Sequence, residues 1–427
     1  MKKNLKNIVS IGVLITILCV LIISVTTLSN ANNLSTSQNE NKTQINETTE
    51  STFNYVNSKT SLNKNVNFEN NFGGSNNDQV YDVFKLNNYY IIGTSQSTNY
   101  YFNNVKQNSV FVLICDYLGN PIKNFTYECS SNITYITSKV FKNSILILIN
   151  ANGTKLLEYN LTENNFEVKY SNLNTANNLI VSNEPIVVYA NSSQTLFTFV
   201  ESNLTYTLPK KISSIVMACE YLNGTLVMFN FTNGFEIALL TTQNLTTIKN
   251  FENQTLNNIN ITNKNFVLDV TSGTQQKILL LDLTFNLENE LTINSSAKTK
   301  LMFLNNMHYL FYLNNNTLNL TLFCNHADKL LEVQIENNVK NYDILLLNNN
   351  FVVLNKKQDN SLSLQSVNIV GQTLSKTQFA INQNINIISA TENNQSNIFI
   401  VGNFDSVNQI ISNNYGKTDV FVCELKV

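Results

Sequence analysis

The sequence predicts an all-β chain whose main body is a single β-propeller of about eight four-stranded blades, with seven as the alternative. Two observations carry this. From about residue 66 to the end, apolar runs of five to eight residues alternate with polar, Asn-rich breaks. Groups of four such runs begin near Gln79, Ile133, Leu179, Ile212, Ile259, Lys300, Tyr342 and Ile387, at a spacing of 33–54 residues that averages near 44. A repeat of ~40–50 residues with four strands is what one blade requires. A chain of β-sandwiches would break its composition every ~100 residues, and no such break follows residue 66.

Residues 1–31 read as an export signal. Lys2, Lys3 and Lys6 form a basic leader, residues 8–25 are uncharged and apolar, and Ser29 and Ala31 place small side chains at the −3 and −1 positions of a cleavage site. Eighteen apolar residues also sit at the lower limit for spanning a bilayer, so an uncleaved membrane anchor is the rival. Either way the flanking lysines stay inside and the rest of the chain is expected outside, secreted or at the cell surface. Cys19 does not read as a lipidation site, because Leu18 precedes it where a small residue is expected. Residues 32–65 are nearly all Asn, Ser, Thr, Gln, Lys and Glu. They are expected to form a disordered polar tether. The propeller then occupies residues 66–427.

Composition narrows the function classes. Of 427 residues 43% are hydrophobic and 13% charged, which excludes a wholly disordered chain. All 27 basic residues are Lys, and removing the signal's three leaves 24 against 29 acids, a balance of −5. With no Arg fork for phosphates and a mildly acidic surface, nucleic acid is not an expected partner. The 79 Asn, with Arg and Trp absent, are what AT-rich codons produce. The N-x-S/T triplets at Asn124, Asn152, Asn223, Asn230, Asn260 and Asn319 follow from that abundance, and would accept glycans only in a eukaryotic secretory pathway.

The strands are read from runs such as Val110 to Ile114, Ile145 to Ile149, Leu226 to Phe229, Ile278 to Leu281 and Phe351 to Leu354. β-Branched and aromatic residues dominate them, and they are too short for helices. Asn152-Gly153, Asn223-Gly224 and Asn233-Gly234 between runs suit two-residue hairpins that need positive φ, and Asn305-Asn306 and Asn348-Asn349 do so more weakly. The last group has only three clear strands, at 386–390, 398–402 and 419–427, while the stretch 66–72 lacks a group of its own. Pairing of 66–72 with 419–427 would complete the final blade and close the ring.

The first and last groups carry shared marks. Phe72-Gly73-Gly74-Ser75 with Asp78 is followed by a strand ending Gly93-Thr94-Ser95-Gln96-Ser97, then Val110-Phe111-Val112-Leu113 and the turn Leu118-Gly119-Asn120. The last group has Ile398 to Gly402, Asp405-Ser406 and Asp419-Val420-Phe421-Val422. Over 68–120 and 387–427 this resembles the bacterial extracytoplasmic β-propeller repeats of the SBBP type. That resemblance implies an extracytoplasmic propeller without a shared catalytic site.

Catalytic chemistry is thinly represented. Nucleophilic catalysis by Ser or Cys wants a positioned imidazole, and only His308, in a strand-like run, and His326, in a turn, exist. Cys324 and His326 alone do not make the four-ligand set of a structural zinc. Cys115, Cys129, Cys219, Cys324 and Cys423 are odd in number and widely spaced, as expected of free, small apolar residues. Asp78, Asp82, Asp405 and Asp419 read as turn or strand-end acceptors. No catalytic residue, metal site or cofactor site is assigned. Tyr89 and Tyr90 are expected between sheets, and Tyr100-Tyr101-Phe102 as an exposed patch. The expected function is a non-enzymatic binding scaffold for an extracellular protein or glycan. The alternatives are a carbohydrate-active enzyme with carboxylates at the channel mouth, or a structural envelope component. Membrane contact is expected only through residues 1–31.

Overall fold

The computed structural model describes residues 49–50, 66–99, 108–262, 264–293, 299–347, 349–379, 386–392, 398–405 and 417–425. The signal segment, Cys19, Tyr100-Tyr101-Phe102 and the tether apart from Thr49–Glu50 lie outside these residues.

Eight antiparallel sheets close into a ring, seven built on four consecutive strands and the eighth on three completed by an N-terminal strand, and no helix occurs among the described residues. Blade 1 is Asp78–Lys85, Tyr89–Ser95, Ser109–Cys115 and Pro121–Glu128. Blade 2 is Tyr135–Phe141, Ser144–Asn150, Thr154–Asn160 and Asn165–Asn172. Blade 3 is Asn178–Val181, Pro185–Ala190, Thr195–Phe199 and Leu204–Leu208. Blade 4 is Ile212–Tyr221, Gly224–Phe231, Gly234–Leu240 and Leu245–Glu252. Blade 5 is Gln254–Ile261, Asn265–Ser272, Gln275–Asp282 and Leu287–Ile293. Blade 6 is Thr299–Leu304, Met307–Asn314, Thr317–Phe323 and Lys329–Glu336. Blade 7 is Val339–Leu347, Asn350–Lys357, Leu362–Val367 and Thr373–Phe379. Blade 8 is Asn386–Glu392, Ile398–Phe404 and Asp419–Leu425, completed by Val66–Phe72.

First strands of successive blades touch around the ring, and the Lys300–Asp343 ion pair (3.2 Å) joins those of blades 6 and 7. They line the centre, and the fourth strands form the outer wall. Each middle strand is therefore buried on both faces, which is why its sequence is a continuous apolar run and not an alternating one. In Ser144–Asn150, Ile145, Ile147 and Ile149 belong to the core shared with blade 1, while Leu146 and Leu148 belong to the core shared with blade 3. Each of the eight seams holds one such apolar cluster. Burying one Leu or Ile side chain contributes roughly 1.5–3 kcal/mol, so every blade depends on both neighbours.

The ring closes as expected. Val66–Phe72 runs antiparallel to Asp419–Leu425, with Val66 opposite Leu425 and Phe72 opposite Val420. Across the seam between blades 8 and 1 Tyr89 lies flat on Phe399, ring centroids 3.6 Å apart and planes 2° from parallel. Tyr90, the next residue, points the other way into the core with blade 2.

Asn does much of the turning. Of the sixteen non-Gly residues with positive φ among the described residues twelve are Asn, including both residues of Asn305-Asn306 and of Asn315-Asn316, as a type I′ turn requires. Two expected Asn-Gly turns are shifted by one residue. The hairpin loops are Leu222-Asn223 and Thr232-Asn233, and each Gly opens the next strand. A Cβ on Gly234 would fall 2.2 Å from the Phe251 carbonyl oxygen, so there Gly permits close approach of the neighbouring strand. Blade 5 begins at Gln254, five residues before the expected Ile259, because its first strand opens with polar residues around a single buried Leu256.

Candidate functional site

The marked residues of the first and last groups meet at the seam between blades 8 and 1. Asp78 is fully buried and accepts hydrogen bonds from the Gly74 amide (2.7 Å), Ser95 Oγ (2.6 Å) and Ser97 Oγ (2.8 Å). Burial pushes its pKa up, and these donors pull the other way. A Cβ on Gly73 would fall 1.9 Å from Asp419 Oδ1, so only Gly admits that buried carboxylate. Asp82 reaches blade 2, accepting from the Ser138 amide (2.9 Å) and Ser138 Oγ (2.5 Å). Asp405 is exposed where the second strand of blade 8 ends.

Other seams carry polar ties that the sequence reading missed. Asn230, in the second strand of blade 4, clamps Leu256 of blade 5: its Nδ2 donates to the Leu256 carbonyl and its Oδ1 accepts from the Leu256 amide, both at 2.8 Å. Asn150 clamps Ala176 in the same way (2.8 and 3.1 Å), and Asn403 clamps Val80 (3.2 and 2.8 Å). Each Asn ends an apolar run, as in Val227-Met228-Phe229-Asn230. Asp269, buried in the second strand of blade 5, accepts from Gln276 Nε2 (2.6 Å) and from Thr299 Oγ1 of blade 6. Burial pushes its pKa up. A lone acid inside Phe266-Val267-Leu268-Asp269-Val270 was the available signal.

Among the described residues neither histidine is hydrogen-bonded to an acid. His308 is fully buried, with its ring between Phe303 (4.9 Å) and Phe323 (5.0 Å) and its Nε2 2.8 Å from Asn325 Oδ1. Burial lowers its pKa, favouring the neutral ring. The Cys324 sulfur accepts the His326 amide (3.4 Å) within a turn. Among the described residues no three His, Cys, Asp or Glu side chains converge as metal ligands. Cys115, Cys129, Cys219 and Cys324 are free thiols. Burial pushes the Cys129 and Cys219 thiols up to about 11, away from the thiolate a nucleophile needs. Replacing His308 or His326 by Gln is expected to leave native activity within a few-fold, with a lower melting temperature for His308→Gln. A loss of ~100-fold with the fold intact, as removal of a general acid or base causes, would contradict this.

One end of the ring offers a surface for contact. All first strands run in the same direction, so the hairpins from first to second strand share one face with those from third to fourth. The Lys142–Glu201 ion pair (3.3 Å) joins two such hairpins of blades 2 and 3. At this end the first strands present Val140, Ile261 and Leu346, and the blade 4 hairpin presents Leu222. These four are 36–54% exposed. Four blades thus offer apolar side chains at one mouth of the central channel, a property of contact surfaces.

No protein-family model matches the sequence, and comparison with curated proteins finds no match. Solved structures that resemble the fold include dihydro-heme d1 dehydrogenase NirN in complex with DHE (9% identity, TM-score 0.49), over 68% of this chain and 66% of that one. A prolyl endopeptidase is similar over 76% of this chain and 54% of its own (7% identity, TM-score 0.46). The Dos1 propeller is similar over 83% of this chain and 95% of its own (11% identity, TM-score 0.49). The chain thus spans between about half and two thirds of the first two.

Proposed function

We propose that this propeller is a secreted or surface-tethered, non-enzymatic scaffold that binds an extracellular protein or glycan at the channel mouth built by Val140, Leu222, Ile261 and Leu346. The observation that carries it is the exposure of these apolar side chains, while Asp78, Asp82, Asp269 and His308 are engaged in holding the fold. The signal-like residues 1–31 and the marks resembling SBBP-type repeats support the outside location. Purified protein should bind components of a glycan array or of a labelled envelope-protein fraction without cleaving the glycans. Leu222→Asp with Leu346→Asp should lower that binding about tenfold or more at unchanged melting temperature, the scale expected when contact residues are lost. Glycan cleavage, or binding indifferent to both substitutions, would overturn the proposal.

Location has its own test. The mature protein should begin near Asn32, because Ser29 and Ala31 fit a signal peptidase. Sequencing of the N-terminus decides it: an intact Met1 in a membrane fraction means an uncleaved anchor, and a soluble cytoplasmic protein refutes export.

A further inference from the structure

We infer that the outer edge of blade 1 is a strand-docking site, held in cis by the chain's own segment around Thr49–Glu50 and able to take an extended peptide in its place. Thr49 pairs with Thr126 and Glu50 with Phe125, antiparallel, so blade 1 alone among the described sheets has a fifth strand. An outer strand presents a row of free N–H and C=O groups, and main-chain hydrogen bonds to an added strand are the natural way to fill them.

The strand Pro121–Glu128 also differs from its counterparts. Asn124, Phe125, Thr126 and Tyr127 are buried in succession. The fourth strands of blades 2 to 6 each have at most one buried residue. Phe125 and Tyr127 belong to the core with blade 2. Asn124 Oδ1 and Thr126 Oγ1 are buried without a hydrogen-bond partner, which leaves two acceptors beside the positions where the added strand runs. The occupant suits the site. The chain's three prolines are at 121, 185 and 209, so the stretch before the propeller keeps every backbone donor, and its threonines favour extended backbone.

The test uses the mature chain, a Thr49→Pro/Glu50→Pro variant that removes two donors, and a fluorescent synthetic peptide of residues 45–54. In the Pro variant the outward-facing amides of residues 122–128 should exchange about tenfold faster or more, and the peptide should bind it in the micromolar range but leave the wild type unbound. Thr49→Val/Glu50→Gln should behave as wild type. Independently, Thr49→Cys with Thr126→Cys should form a disulfide on mild oxidation, because directly opposite residues have Cβ atoms about 5 Å apart. Unchanged exchange, absence of peptide binding to the Pro variant at ~1 mM, equal binding to the wild type, or failure of the disulfide to form would each overturn the inference.

Discussion

Removal of residues 66–72 is expected to lower the melting temperature by on the order of 10 °C or more and to produce soluble oligomers, because it strips the outermost strand from blade 8. One edge and one core lose their cover at once. The backbone of Asp419–Leu425 loses the pairing that runs from Val66 opposite Leu425 to Phe72 opposite Val420. The core between blades 8 and 1 loses Phe72, which is 1% exposed beside Val420 and Val422. Removal of residues 32–48 touches neither and should leave the melting curve unchanged. A synthetic peptide of residues 66–74 added to the truncated protein should restore the monomer. Size-exclusion chromatography with scanning calorimetry reads both. Equal melting temperatures for the two truncations would show that the closing strand does not hold the ring.

Asn230→Ala should destabilise the ring by about 3 kcal/mol, since it leaves the Leu256 amide and carbonyl without partners in a buried seam. For a body of this size that is a fall of roughly 4 °C. Asn230→Asp should be worse at neutral pH: a carboxylate cannot donate to the Leu256 carbonyl, and its charge would be buried. Burial raises such a carboxyl's pKa, so its folded form binds a proton more readily than the unfolded chain. The Asp variant should therefore recover relative to wild type as pH falls, when the protonated acid can donate again. Asn250→Ala, on the exposed outer strand of the same blade, is the control and should change stability by less than about 0.5 kcal/mol. An Asn230→Ala variant as stable as this control would show that the clamp is not a structural tie.

The blades were legible because a sheet packed on both faces writes itself as an uninterrupted apolar run. Ser144–Asn150, with all seven residues buried, is the clearest. Seven of the eight groups begin within three residues of where the rhythm put them, and closure by Val66–Phe72 followed from counting strands. The exception at Gln254 shows the limit, since a channel-lining strand with one core residue looks like a loop. The polar ties were not legible for a different reason. In a chain with 79 Asn, a place at the end of an apolar run does not separate Asn230, which spans a seam, from Asn314, which is exposed. The difference lies in which residue of another blade stands opposite, and that is a property of the ring. The channel-mouth apolar residues were hidden likewise, because Leu346 and the buried Ile344 sit in one continuous run.

The pairing of Val66 with Leu425 also fixes an order in time. The partners are 359 positions apart (425 − 66), and the entropy of bringing together the ends of such a chain is about 5 kcal/mol. The hairpins within blades 1 to 7 join neighbouring stretches and can form as each leaves the ribosome. The strand Val66–Phe72 emerges before all of them and must wait for Asp419–Leu425 before it finds its place. Until then the chain is an open horseshoe with one sticky strand at each end, and at high concentration the first strand of one molecule can seal the last blade of another. Misassembly of this protein should therefore take the form of chains linked head to tail, with every blade intact.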